Sequence, residues 1–263
     1  MDGSIDCWIL HSAMSDPGGY RAAIAALPAD IGALIDTIQG MLVHADWVKE
    51  YGLDETKLDA TARRTLPVIE RLDDVLRRNS QPLEVRRAAE KRSTGTCRDY
   101  ALMLCSFLRC RGIPARVRCG FAAYFSDGWE DHWVCEYWDA KSAAWHLADP
   151  QIDQVLRHRS KISFAPSDVP RRFFMTAGEA WLQCRHGKSD PSAFGHGDVT
   201  GLWFMKVNVL RDHHVLNGRE TSNWDSWREA PHPRRTVFPA EMELLDALAA
   251  RPEQTLVEIG PDW

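Results

Sequence analysis

Cys97, His132 and Asp149 are the residues of this 263-residue chain whose types and surroundings point to chemistry. The loop Thr94-Gly95-Thr96 delivers Cys97 to the first turn of a helix. A thiol there feels the positive end of the helix dipole and free backbone N–H groups, and both favour the reactive thiolate. Gly95 lets the backbone approach closely or take a positive φ. A nucleophilic thiol needs a base within hydrogen-bond reach, and the base needs an orienting partner. His132 opens the second strand after the Cys97 helix, and Asp149 ends the third, just before Pro150. Adjacent antiparallel strands set such ends about 5 Å apart. Their shared edge can face the N-terminus of a helix packed on the sheet. The chemistry available to such a trio is attack of sulfur on an acyl carbon.

The elements that must position these residues follow from periodicity. Residues 1–17 read as a loose or strand-like lead-in. From Gly19 to about Asn79, apolar residues recur every three or four positions, as in Leu34, Ile35, Ile38, Leu42 and Val43, which predicts helices. A further helix opens at Leu66–Leu72. Residues 83–95 are polar and predict a loop. Ala101 to Leu108 leave almost no polar face, so the Cys97 helix is a central, buried one. Gly112 suits its C-terminus. After Pro114 the period changes to two: Val117, Cys119 and Phe121 predict one strand, 132–138 a second and 144–148 a third. A buried helix followed by an antiparallel meander makes an α+β arrangement. Beyond Pro150, helices are predicted at 177–184 and 241–250, and at 201–210 length favours helix over strand. The whole reads as a single domain over 1–263: a helical part at about 19–80, a core at about 83–230 and a tail helix at 239–251.

Composition narrows the class. Hydrophobic residues are 44% and charged residues 26%, an ordinary globular balance. With 32 Lys+Arg against 37 Asp+Glu the net charge is -5, which disfavours a general nucleic-acid partner. No run of about 18 apolar residues exists, and the acidic start lacks the features of a secretory signal, so neither membrane nor export is expected. The cysteines number seven, an odd count without a CxxC pair, and are read as reduced thiols in a cytoplasmic protein without structural zinc. No acidic loop suggests calcium, and no cofactor is called for.

Three blocks carry a resemblance. Gly95-Thr96-Cys97-Arg98-Asp99-Tyr100-Ala101 with Leu108-Arg109-Cys110-Arg111-Gly112-Ile113-Pro114 resembles the nucleophile signature of the transglutaminase-like superfamily. Asp131-His132-Trp133-Val134-Cys135-Glu136-Tyr137-Trp138 resembles its histidine strand, and Trp145-His146-Leu147-Ala148-Asp149-Pro150 its aspartate strand. The resemblance covers about residues 92–152 in matching order. It implies a papain-like α+β core and a stand-alone, bacterial-type cysteine enzyme, with extra helices before the core. Cys97 would be nucleophile, His132 base and Asp149 orienter, with the Cys97 backbone N–H as one oxyanion donor. The activity implied is acyl transfer from an amide, ester or thioester to an amine or water. Alternatives are a biosynthetic transferase acting on a carrier-protein thioester and a non-catalytic binding module on the same frame. Trp133 follows His132 where many relatives carry a small residue.

Several residues stand beside this trio. Trp129, Trp133 and Trp203 are candidate substrate-pocket walls, and Trp224 a weaker one. Arg116 and Arg118 suit ion pairs or solvated edge charge. Asp99 suits a helix cap and Asp131 a turn. Asp212-His213-His214 suits a loop or supporting role, because adjacent histidines diverge on a helix. A carrier protein would need a local arginine patch, such as Arg171-Arg172 or Arg234-Arg235.

Overall fold

A computed structural model describes residues 5–58, 62–220 and 236–253. Its helices are α1 (Arg21–Ala26), α2 (Ile31–Met41), α3 (Val68–Arg78), α4 (Cys97–Arg109), α5 (Gln154–Arg159), α6 (Ala177–Arg185), α7 (Leu202–Leu216) and α8 (Pro239–Ala250). Its strands are β1 (Leu42–His44), β2 (Ser93–Gly95), β3 (Ala115–Ala122), β4 (Trp129–Asp139), β5 (Ala144–Ala148), β6 (Phe174–Thr176), β7 (Phe194–His196) and β8 (Val199–Thr200). Six strands form one sheet in the order β6-β3-β4-β7-β8, with β5 also pairing β4. Contacts cluster into two compact units, Met1–Val117 with Val134–Val169, and Arg118–Trp133 with Pro170–Trp263.

In the first unit, α2 and α3 pack on α4. On α3 the buried residues Val68, Arg71, Leu72 and Val75 follow helical spacing and form one face. Each fully buried Leu or Val contributes roughly 1.5–3 kcal/mol. Every residue of α4 after Cys97 is buried, so this helix is the unit's centre. Arg109 ends it by donating to the Ala115 carbonyl at 2.9 Å and to Ser15 Oγ at 2.9 Å. β5 runs antiparallel to β4, with Ala148 opposite Cys135. Arg116 lies between the rings of Trp8 and Trp145, at 5.2 and 4.2 Å, and its Nε meets Glu136 at 2.8 Å.

In the second unit, α6, α7 and α8 pack on one another. Their core contains Phe121, Trp181, Phe194, Phe204 and Leu248. The Trp181 indole N–H is buried and finds Asp246 at 2.7 Å, as a buried indole must. Arg118 Nε and Nη2 bind the two oxygens of Asp212 at 3.0 and 2.8 Å, which ties β3 to α7.

Several local expectations need correction. The lead-in contains a 3-10 helix, Ile5–Ile9, rather than a strand. Leu42 and Val43 leave the helical pattern for β1, which pairs in parallel with β2 where a loop was expected. Both strands have only three residues, too few to show a period. His132 is the fourth residue of β4 rather than its first. The segment after Pro150 also holds α5 and three short strands that patterning did not reveal.

Candidate active site

Cys97 is the first residue of α4 and is partly exposed. The turn before it is held from two sides. Asp99 Oδ2 accepts from the Thr96 backbone N–H at 2.8 Å and its hydroxyl at 3.1 Å. Asp99 Oδ1 accepts from Arg71 Nε and Nη2 at 3.2 and 2.7 Å. Arg71 Nη1 then donates to the Thr94 carbonyl at 2.6 Å and to Ser93 Oγ at 2.9 Å. Gly95 is required by close approach, since a Cβ there would meet Asp99 Cβ and Oδ2 at 3.0 Å. Its φ is not positive. The result is a braced turn that sets Cys97 at the positive end of the helix dipole.

Asp149 is fully buried directly after β5. Its backbone N–H donates to the Pro166 carbonyl at 2.7 Å, and its Oδ1 accepts from the Gln151 N–H at 2.9 Å. Gln39 of α2 braces the following segment by donating to the Pro150 and Ile152 carbonyls at 3.2 and 3.0 Å. Tyr100, three residues after Cys97, is buried. Burial first, then charges that include Asp153 and Asp149, push its phenol well up.

His132 belongs to the second unit and is 2% exposed. The rings of Tyr124 and Phe125 meet its imidazole edge-on, with centroids at 5.8 and 5.0 Å. The adjacent Asp131 accepts from Arg211 Nη1 at 3.1 Å, which fixes the strand beside it.

Residues 46–150 match the profile of the transglutaminase-like superfamily, a span that includes Cys97 and His132 and closes one residue after Asp149. The architecture around this span is mixed α and β. A solved Cytophaga hutchinsonii structure, provisionally named a cysteine protease, is 15% identical with a TM-score of 0.40. The alignment covers 67% of this chain and 46% of that one, so the chain spans less than half of its length. A search of curated proteins returned no match.

Among the described residues, Cys97 is the only cysteine of the transglutaminase-like segment at an α-helix N-terminus. Cys105 and Cys135 are buried, and burial followed by a hydrogen bond with Cys105 pushes the Cys135 thiol well up. Cys110 sits at the opposite end of α4, and burial raises it too. Cys119, on β3, is buried against Asn208, and outside the segment burial raises Cys184.

The remaining candidates resolve mostly into packing. Trp129 stacks on Phe194 at 5.8 Å, Trp133 is buried, and Trp203 joins the core of the α6–α8 bundle. Arg116 and Arg118 form buried ion pairs. Asp212, His213 and His214 lie buried within α7, not in a loop. Arg171 and Arg172 are exposed at a 3-10 turn, whereas Trp224, Arg234 and Arg235 lie outside the described residues. Sequence reasoning missed Arg71. Its signal was present, because an arginine at a buried helical spacing demands a buried anion.

Proposed function

We propose that the protein is a cysteine acyltransferase or hydrolase, with Cys97 as nucleophile, His132 as base and Asp149 as the group that orients the base. The observation that carries this reading is a partly exposed thiol at the first turn of an otherwise buried helix. His132 takes the Cys97 proton, and the sulfur bonds to the carbonyl carbon of an amide, ester or thioester. The oxyanion that forms is stabilised by the Cys97 backbone N–H. As the intermediate collapses, the bond to the leaving amine, alcohol or thiol breaks, and His132 returns the proton to it. An amine or water then attacks the thioester and frees the sulfur. The seven free thiols support a reducing, cytoplasmic setting. Among the described residues, no helix is long and apolar enough to cross a membrane.

The test is intact-protein mass spectrometry after incubation with glutaminyl peptides, small amides and acyl thioesters. An acyl adduct on Cys97 identifies the donor. Near pH 6, iodoacetamide labels Cys97 far faster than the other six thiols. Cys97→Ala abolishes turnover and keeps the fold. Undiminished turnover in that variant, or labelling of Cys97 no faster than its neighbours, would falsify the assignment.

A further inference from the structure

We propose that a cavity beside the segment following Asp149 binds a small zwitterion of the α-amino acid class. The cavity has a volume of about 300 Å³ and lies within the first unit. A neighbouring cavity of about 230 Å³ shares Asp36, Gln39, Asp153 and Gln154 with it. Such a volume suits a small molecule.

Two sets of groups with opposite demands line the cavity. Arg86 and Arg92 form the first. Their bonding partners are neutral. Arg86 Nη2 donates to the Asp36 backbone carbonyl at 3.2 Å, and Arg92 Nε donates to the Arg87 carbonyl at 2.9 Å. The Arg92 guanidinium also lies 5.9 Å from the Tyr51 ring centre. Both cations therefore keep donors suited to a carboxylate. The second set consists of acceptors. Gln39 is 5% exposed, and its Nε2 spends its hydrogens on the Pro150 and Ile152 carbonyls. This fixes the amide and leaves Oε1 as an acceptor. Asp153 is 8% exposed and accepts from Leu156 N–H and from the Tyr51 hydroxyl. Asp36 adds an exposed carboxylate.

A pure anion would meet Asp36 and Asp153, and a pure cation would meet Arg86 and Arg92. A molecule carrying an ammonium and a carboxylate a few atoms apart satisfies both sets. Burial of the Gln39 and Asp153 acceptors makes an unmatched ligand costly. The assignment uses none of Cys97, His132 or Asp149 and stands independently of the proposed reaction.

The test is thermal unfolding of the full chain with L-alanine, L-glutamine or L-lysine. N-acetyl-L-alanine, L-alanine amide and inorganic phosphate are the comparison probes. At about five times Kd a bound amino acid raises Tm by about 2–4 °C. Loss of either charge in the comparison probes weakens binding about tenfold or more. Arg86→Gln and Asp36→Asn change exposed side chains, so the free protein keeps its Tm while the ligand shift disappears. Cys97→Ala retains the shift. No shift with any amino acid up to about 20 mM, a weaker affinity than useful sites show, overturns the proposal. So does an equal shift with phosphate or the acetylated probe, or a shift that survives both substitutions.

Discussion

Arg71 of α3 and Asp99 of α4 form a buried ion pair at 2.7 Å, side chains 2% and 1% exposed, that shares its carboxylate with the cap of the Cys97 helix. One oxygen anchors α3 and the other holds Thr96, so helix packing and thiol placement rest on one group. Removing one partner of such a pair costs about 3–5 kcal/mol. Asp99→Leu should therefore lower stability by that amount in urea denaturation. Adding Arg71→Met should recover most of the loss, because two apolar residues replace two charges. The cap stays absent in the double variant, so iodoacetamide labelling of Cys97 should remain slow. Recovery of both stability and labelling would refute a role for the cap.

Gly95→Ala should act on the same carboxylate from the other side. The added methyl would stand 3.0 Å from Asp99 Oδ2. The carboxylate must shift, and the Thr96 bonds lengthen. The expected result is Cys97 labelling slowed about tenfold, with stability reduced by about 1 kcal/mol. Wild-type labelling would mean that Asp99 gives way without cost.

Acid should destabilise the second unit through α7. Burial, followed by the His213 and Arg219 charges, holds His214 down to about 4. In the unfolded chain the same ring gains its proton near 6.5. Between pH 6.5 and about 4 the unfolded state thus binds more protons, and stability falls as pH drops through that window. The difference corresponds to roughly 3 kcal/mol at most. His214→Gln should flatten the stability profile below pH 6.5 and leave it unchanged above pH 7. An unaltered profile in denaturant titrations would exclude His214 as the source.

Gly178→Ala should separate α6 from α8. A Cβ at Gly178 would lie 2.5 Å from the Ala249 carbonyl oxygen, a backbone atom that cannot swing aside. The expected loss is about 1–3 kcal/mol. Gly19→Ala, where nothing lies within 4 Å, serves as the control and should stay within about 0.5 kcal/mol of wild type.

The parts of the fold legible in the sequence were those with a sustained period. α4 and β3 emerged because a long apolar run in the one and alternating residues in the other reported a single kind of element. β1 and β2 were hidden because three residues carry no period and their partners lie 51 residues apart, as in Leu42 and Ser93. The placement of Cys97 at a helix start was legible through Gly95 and Asp99. The spacing of Arg71 on α3 announced a buried cation, but its partner Asp99 was not legible, because a long-range ion pair leaves no local spacing. Arg118 and Asp212 show the same limit, being 94 residues apart along the chain. The tryptophans could not be sorted from sequence, since aromatic residues suit a pocket wall and a core equally well.

The plate of Arg116 between Trp8 and Trp145 has a further consequence. Among the described strands β5 pairs with β4 alone, and the Val169 N–H donates to the Leu147 carbonyl at 2.8 Å on its other side, so Trp145 stands near the end of a partly covered edge. Trp8, carried by the short helical lead-in, is the outer leaf of that stack. Residues 5–9 thus cover one face of the Arg116 guanidinium, and trimming them would open the buried Arg116–Glu136 pair to water.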